Sequence, residues 1–300
     1  MKFYYFGGVF NDINSLETPS VLEKHNFSGV LFTYDATQGD MFVRTARDIN
    51  PKEKIKYLIA IRPHTISPQY LYAIHKSINE INRGRLQLNI ISGYIKDHEK
   101  DVGGIVGNIN DLSSSVERSN YTIEFIKTLN ELSRSKTDQL DVYVSTTNSY
   151  VFTESKKQGN KVIIPYHIYR RGFWSDVLKD TSLMIDLEKD GMEIMISMTP
   201  IIRESKEELN LLTNHALKPI WKKGEVSHVV SDVEYFTPKS FSEFVETLEE
   251  DGITHLMVNA IPREEKDIII PFIKSFVESK NQEFVGNQTD KEINILGGKK

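Results

Sequence analysis

The sequence predicts an α/β chain closed as a (β/α)8 TIM barrel, and three observations carry that expectation. Eight apolar runs alternate with helix-like segments along the chain, a count that needs about 250 residues to close. Runs such as KYLIAI (56–61) and LQLNII (86–91) are nearly continuous in apolar character. Strands buried on both faces of a parallel sheet read this way, whereas half-exposed strands alternate. Polar residues gather where the runs end, which is where parallel α/β folds bind ligands. An open, doubly wound sheet is the alternative closure.

The elements follow in order. Phe3 to Phe6 is a short aromatic strand stopped by Gly7-Gly8, and Thr18-Pro19-Ser20 starts a short helix to His25. GVLFTY (29–34) is strand two, and the polar loop 34–40 ends at Asp40, whose carboxylate suits the N-cap of a helix MFVRTARDI. Strand three is 56–61, and Pro68 opens a helix that stops near Asn82-Arg83-Gly84. Strand four, 86–91, is followed by a long irregular segment, 94–112, of the length usual for a lid or binding loop. A helix over 114–132 leads to strand five, 141–144, and a short helix to Gly159 leads to strand six, VIIPYHI (162–168). Strand seven is 193–198, with Thr199-Pro200 after it. Helices at 204–216 and 238–250, strand eight from Thr254 and a last helix over 264–277 complete the repeat. The expected division is one barrel domain over 1–280 and a polar tail over 281–300.

The totals limit the function classes. The chain has 300 residues, 39% hydrophobic, enough for a sizeable core. Its net charge of −5, with both signs interleaved, argues against nucleic acid or an anionic membrane as partner. It has no cysteine, which removes disulfides, thiolate metal sites and a cysteine nucleophile. No run reaches about 18 apolar residues and the start lacks a signal pattern, so a soluble cytoplasmic protein is expected. His25, His215 and His228 have no partner at metal-ligand spacing, and HExxH is absent, so no metal is expected.

Several strand ends carry residues suited to chemistry. Ser145-Thr146-Thr147-Asn148-Ser149 runs from strand five into a helix N-terminus, where N–H groups, hydroxyls and the helix dipole can hold a phosphate. Plain helix capping is the structural alternative. Arg62 and His64 follow strand three and could hold an anion, or Arg62 could pair with a rim acid. His167 ends strand six beside Tyr166, Arg170, Arg171 and Trp174, a cluster that could serve chemistry or simply pack the rim. The glycines 103, 104 and 107 lie in the long segment without GxGxxG spacing, which suits a lid rather than a P-loop.

A resemblance rests on these stretches. "IRPxxISP" at 61–68 and "NRGRLxxNIISG" at 82–93 resemble the luciferase-like flavin monooxygenases, most closely the alkanesulfonate monooxygenase branch, with its "LRPG-ISP" and "GR…N-VTGG". FSGVL (27–31), Glu117-Arg118, MEIMISMTPIIRESKEEL (192–209) and DGITHLMVNAIPREEKDIIIPFI (251–273) are similar to further blocks in the same order. The family's "GGSS" phosphate turn falls on Ser145-Thr146-Thr147-Asn148. The chain departs from the family at other positions. Gln38 stands for a Cys, Ser197-Met198-Thr199 for "RLH", Ser119 for the Tyr of "ERY", and Ile261 for the Tyr of "SGYP".

The resemblance implies a (β/α)8 fold and an FMNH2-dependent, two-component monooxygenase. Reduced FMN would come from a separate NAD(P)H:flavin reductase, with O2 and a small organic, sulfonate-like or related compound as substrates. Ser92 and Gly93 would lie near the flavin ring, and Thr147, Asn148 and Ser149 at the phosphate. His64, His167 and Arg62 would serve acid–base work, with Tyr34, Gln38, Thr199 and His98 on the substrate and lid side. A homodimer or homotetramer is implied. A flavin-binding protein without oxygenase activity, or an oxidoreductase using the deazaflavin F420, are the alternatives.

Overall fold

The computed structural model describes residues 1–7, 15–33, 40–81, 84–91, 112, 114–134, 140–170, 193–215, 233–261 and 263–297. Its strands are β1 (Lys2–Phe6), β2 (Phe27–Phe32), β3 (Lys56–Ile61), β4 (Leu86–Ile91), β5 (Val142–Ser145), β6 (Lys161–Pro165), β7 (Ile194–Ile202), β8 (Val233–Phe236) and β9 (His255–Val258). β1 to β6 lie side by side in order, β7 joins β6 to β9, and β9 returns to β1. Every pairing is parallel. Eight strands thus close a (β/α)8 TIM barrel, and β8 adds outside the ring along the far half of β7.

The helices are α1 (Pro19–Lys24), α2 (Met41–Asp48), α3 (Pro68–Ile81), α4 (Ser115–Ser133), α5 (Ser149–Lys157), α6 (Tyr166–Arg170), α7 (Lys206–His215), α8 (Pro238–Glu250) and α9 (Lys266–Gly297). Their starts follow local chemistry. Asp40 Oδ1 accepts from Phe42 N at 2.8 Å and Val43 N at 3.0 Å, as the sequence predicts. Ser114 and Glu117 form a reciprocal capping box on α4, and Thr237 with Ser240 does the same on α8.

The alternating strand positions divide the core. Tyr4, Leu31, Leu58, Tyr143, Ile163, Met195 and Met257 fill the barrel. The other face of each strand packs under the helices. Gly29 is dictated by the interior: it pairs in register with Tyr4, and an added Cβ would lie 2.2 Å from Tyr4 Cε1. The missing side chain is the space the ring occupies.

Four expectations are corrected. Strand six ends at Pro165, and Tyr166 to Arg170 turn into α6 rather than extending the strand. β7 does not stop at Met198 but runs to Ile202, because β8 supplies a partner for Thr199 to Ile202. β8 itself, VEYF, was not expected. The last helix continues to Gly297, beyond the expected end at Val277. The segment 94–112 and its lid reading lie almost wholly outside the described residues.

Candidate functional site

The carboxyl ends of the barrel strands bring Arg62, Ser145, Thr147, His167 and Thr199 to one mouth. Its inner wall combines the half-buried Phe6 and Ile91 with the buried Ala60. A polar pair interrupts that wall: Ser145 Oγ donates to Asn89 Oδ1 at 2.8 Å, and Asn89 is only 2% exposed. The sequence reading missed Asn89. Its signal was an amide in the middle of an apolar strand, a residue that needs a partner wherever it is buried.

The turn from β5 into α5 is built by its own side chains. Thr146 N donates to Ile163 O, and Asn148 N donates to Thr146 Oγ1 at 3.0 Å. Asn148 caps the helix: its Oδ1 accepts from Tyr150 N at 2.9 Å and Val151 N at 3.4 Å. Its Nδ2 donates to Ser119 Oγ at 3.3 Å, and Ser119 donates to Ser115 O. Ser119, the position where the resembling family has Tyr, therefore braces this turn. Thr147 and Ser149 are exposed, and among the described residues their side chains have no hydrogen-bond partner. The Tyr150 and Val151 N–H groups are thus taken up by the cap, and the helix start offers the two unengaged hydroxyls of Thr147 and Ser149 at the positive end of its dipole, where a phosphate would fit.

Arg62 ends β3 in extended backbone, and its carbonyl accepts from Thr65 N and Thr65 Oγ1. His64 sits half-buried in the 3-10 turn Pro63–Thr65, which rests against α4. His167 lies in the first turn of α6, also half-buried. Its neighbours are committed to structure. Arg170 donates to Glu234 Oε2 at 2.8 Å, and the Tyr166 hydroxyl donates to the same oxygen at 3.3 Å, tying α6 to β8. Burial pushes the Tyr166 phenol up to about 12. Thr199 is 1% exposed within β7. Ser92, Gly93, Tyr34, Gln38 and His98 lie outside the described residues, as do Arg171 and Trp174.

A second polar assembly occupies the opposite, amino-terminal end of the barrel. Lys161 Nζ lies 2.8 Å from Asp141 Oδ1 and 2.5 Å from Glu193 Oε2. The Tyr143 hydroxyl donates to Glu193 Oε2 at 3.1 Å. Gln87 donates to Asp141 Oδ2 at 2.7 Å and accepts from the Tyr4 hydroxyl at 3.0 Å. His255, 2% exposed, has Nδ1 at 2.7 Å from Thr254 Oγ1 and Nε2 at 4.0 Å from Glu193. A cavity of about 490 Å³ opens here. The sequence reading assigned no role to these residues, although a charged or His residue stands at the start of each of four apolar runs: Lys56, Lys161, Glu193 and His255.

Among the described residues, no group of His, Asp and Glu could hold a metal ion. No described helix is long and apolar enough to cross a membrane. No protein-family model matches the sequence. The fold recurs in solved structures at low identity. Monooxygenase RslO1 from Streptomyces bottropensis aligns with a TM-score of 0.65 and 13% identity, over 94% of this chain and 100% of its own. EDTA monooxygenase (EmoA) from Chelativorans sp. BNC1 gives 0.65 and 9%, over 94% of each chain. The coenzyme F420-dependent tetrahydromethanopterin reductase from Methanopyrus kandleri gives 0.62 and 12%, over 91% of this chain and 97% of its own. At such identities the likeness establishes the barrel, and chemistry has to be argued from the site.

Proposed function

We propose that the chain is a flavin-dependent monooxygenase of the luciferase-like class, using reduced FMN delivered by a separate reductase. The observation that carries this reading is the start of α5, where Thr147 and Ser149 have unengaged side chains at the mouth of the barrel. The likeness to monooxygenases and to an F420-dependent enzyme supports it, since both reductants pair a tricyclic ring with a phosphate-bearing chain.

In this reading Thr147 and Ser149 hold the phosphate, while Asn148 holds the first turn of α5 in place. Phe6, Ala60 and Ile91 would hold the ring, with Ser92 and Gly93 as further candidates. Arg62 supplies positive charge beside an anionic substrate group, and His64 and His167 move protons at the substrate. Tyr34, Gln38, Thr199 and His98 would be the candidates for the substrate side. Reduced flavin, when bound, supplies the electrons that activate O2. The chain's contribution is to orient it and exclude water. An alkanesulfonate substrate is disfavoured, because the Arg and His of the family's "RLH" are Ser197 and Thr199 here.

Fluorescence titration with FMN, reduced FMN and F420 tests the reading. The expected result is low-micromolar binding of reduced FMN, weakened at least about tenfold by Thr147→Glu through charge repulsion at the phosphate. A preference for F420 would move the chain to the deazaflavin class. The absence of any flavin binding would reduce the resemblance to fold alone.

A further inference from the structure

The amino-terminal end of a TIM barrel ordinarily serves stability, but here it is hollow and its charges are arranged in two layers. A cavity of about 490 Å³ is lined by both sets of charges, within the size range of small-molecule sites. Tyr4 lines it on the barrel side, and Tyr4, Tyr143, Leu58, Ile163, Met195 and Met257 fill the barrel interior.

The inner layer carries excess negative charge. Two carboxylates, Asp141 and Glu193, share one ammonium, Lys161. Burial works to raise the Glu193 carboxyl, but the Lys161 hydrogen bond and charge, together with His255 and the Tyr143 hydroxyl, outweigh it and hold the group below its usual range. His255 adds no positive charge at neutral pH, because burial pushes it down to about 4. Glu193 Oε2 takes the contacts from Lys161 and Tyr143, which leaves Oε1 without a hydrogen bond among the described residues.

The outer layer has the opposite sign. Lys2, Lys54 and Lys56 line the opening, against one acid, Glu23. Glu23 Oε1 accepts from the Lys54 backbone N–H at 2.7 Å. The Lys56 ammonium donates to Gly84 O. Lys2 and Lys54 are exposed, and their ammonium groups make no ion pair among the described residues.

We propose that this amino-terminal cavity is a second ligand site, for a small zwitterion whose ammonium enters toward Glu193 Oε1 and whose anionic group stays at Lys2, Lys54 and Lys56. A simple anion would meet the surplus carboxylate inside, and a simple cation would have to pass three lysines. A molecule with both charges, cation first, satisfies both layers. The site is independent of the flavin reading, because it uses none of the residues at the carboxyl mouth.

Isothermal titration calorimetry of the full chain with β-alanine, 4-aminobutyrate and 5-aminovalerate tests it, with butyrate and butylamine as controls that each lack one charge. The expected result is that at least one amino acid of the series binds with Kd below about 1 mM, and that both controls bind at least about tenfold more weakly. Glu193→Gln should remove the advantage over butyrate. The exposed double variant Lys2→Ala/Lys54→Ala, which disturbs no described contact of the fold, should weaken binding at least about tenfold. The proposal is overturned if none of the three binds, if either control binds as well, or if the double-lysine variant leaves the affinity unchanged.

Discussion

Gly29 shows how one residue sets the inside of the barrel. Its α-carbon faces the Tyr4 ring so closely that a methyl group would overlap it, with the nearest ring atom 2.2 Å away. Tyr4 cannot yield easily, because its hydroxyl is fixed on Gln87 and its ring packs near Tyr143 and His255. Gly29→Ala should therefore cost about 1–3 kcal/mol, the usual range for overpacking a filled core. A urea melt reads this directly, and a cost below about 0.5 kcal/mol would mean that Tyr4 moves freely. At the same scale, Ser119 and Asn148 exchange the usual roles of core and cap. A small buried hydroxyl stands where the resembling family places an aromatic ring, and it braces the amide that caps α5.

Among the elements, helix starts are written into the sequence with unusual clarity. α4 begins with Ser114 and Glu117 satisfying each other's orphan N–H groups, at 3.1 Å for Glu117 N to Ser114 Oγ and 2.8 Å for Ser114 N to Glu117 Oε2. Ser114→Ala removes one half of this box and should lower stability by about 1 kcal/mol. Ser114→Asp should restore most of it, since a carboxylate caps equally well and favours the positive end of the helix dipole. An equal loss in both variants would point to packing rather than capping. β7 is the element whose extent depends on a partner. Its far half exists because β8 takes up the hydrogen bonds of Thr199 to Ile202, and Glu234 of β8 in turn anchors α6 through Arg170 and Tyr166.

Taken whole, the molecule should weaken in mild acid because of the amino-terminal end of its barrel. His255 titrates at about 4 in the folded chain, chiefly because burial disfavours its charged form, against an ordinary 6.5 when unfolded. Between those values the unfolded chain binds more protons, so stability is complete above about 6.5 and falls as pH drops toward 4. Glu193 acts in the same direction, since its depressed carboxyl contributes stability that is lost as pH falls through its folded value. The urea midpoint should thus decline from pH 7 to pH 5, a loss of about 1–3 kcal/mol. His255→Gln should flatten that slope. A variant with the wild-type slope would assign the acid sensitivity to other groups. Glu17 is a second clamp on the whole barrel. It receives the Tyr5 hydroxyl at 3.0 Å, Arg263 at 2.7 Å and Lys266 at 3.3 Å, joining the segment after β1 to the connection between β9 and α9.

The barrel itself was legible from the sequence. Apolar runs of strand length, helices with caps and breakers between them, and polar strand ends are local signals, and local signals decide strand, helix and parallel class. The cap at Asp40 and the turn from β5 into the start of α5 could be read for the same reason. Other features needed the closed barrel. β8 is a four-residue strand that exists only because the end of β7 lies beside it. Tyr166 to His167 could be read as strand until packing against β8 made them helix. The inner layer of Lys161, Asp141, Glu193 and His255 draws one residue from each of four places spread between positions 141 and 255 of the chain. No spacing rule along the sequence relates them. Only shear and strand alternation turn those four side chains into the same cavity, so the sequence by itself determined the barrel, and the tertiary structure decided that its amino-terminal end is charged and hollow.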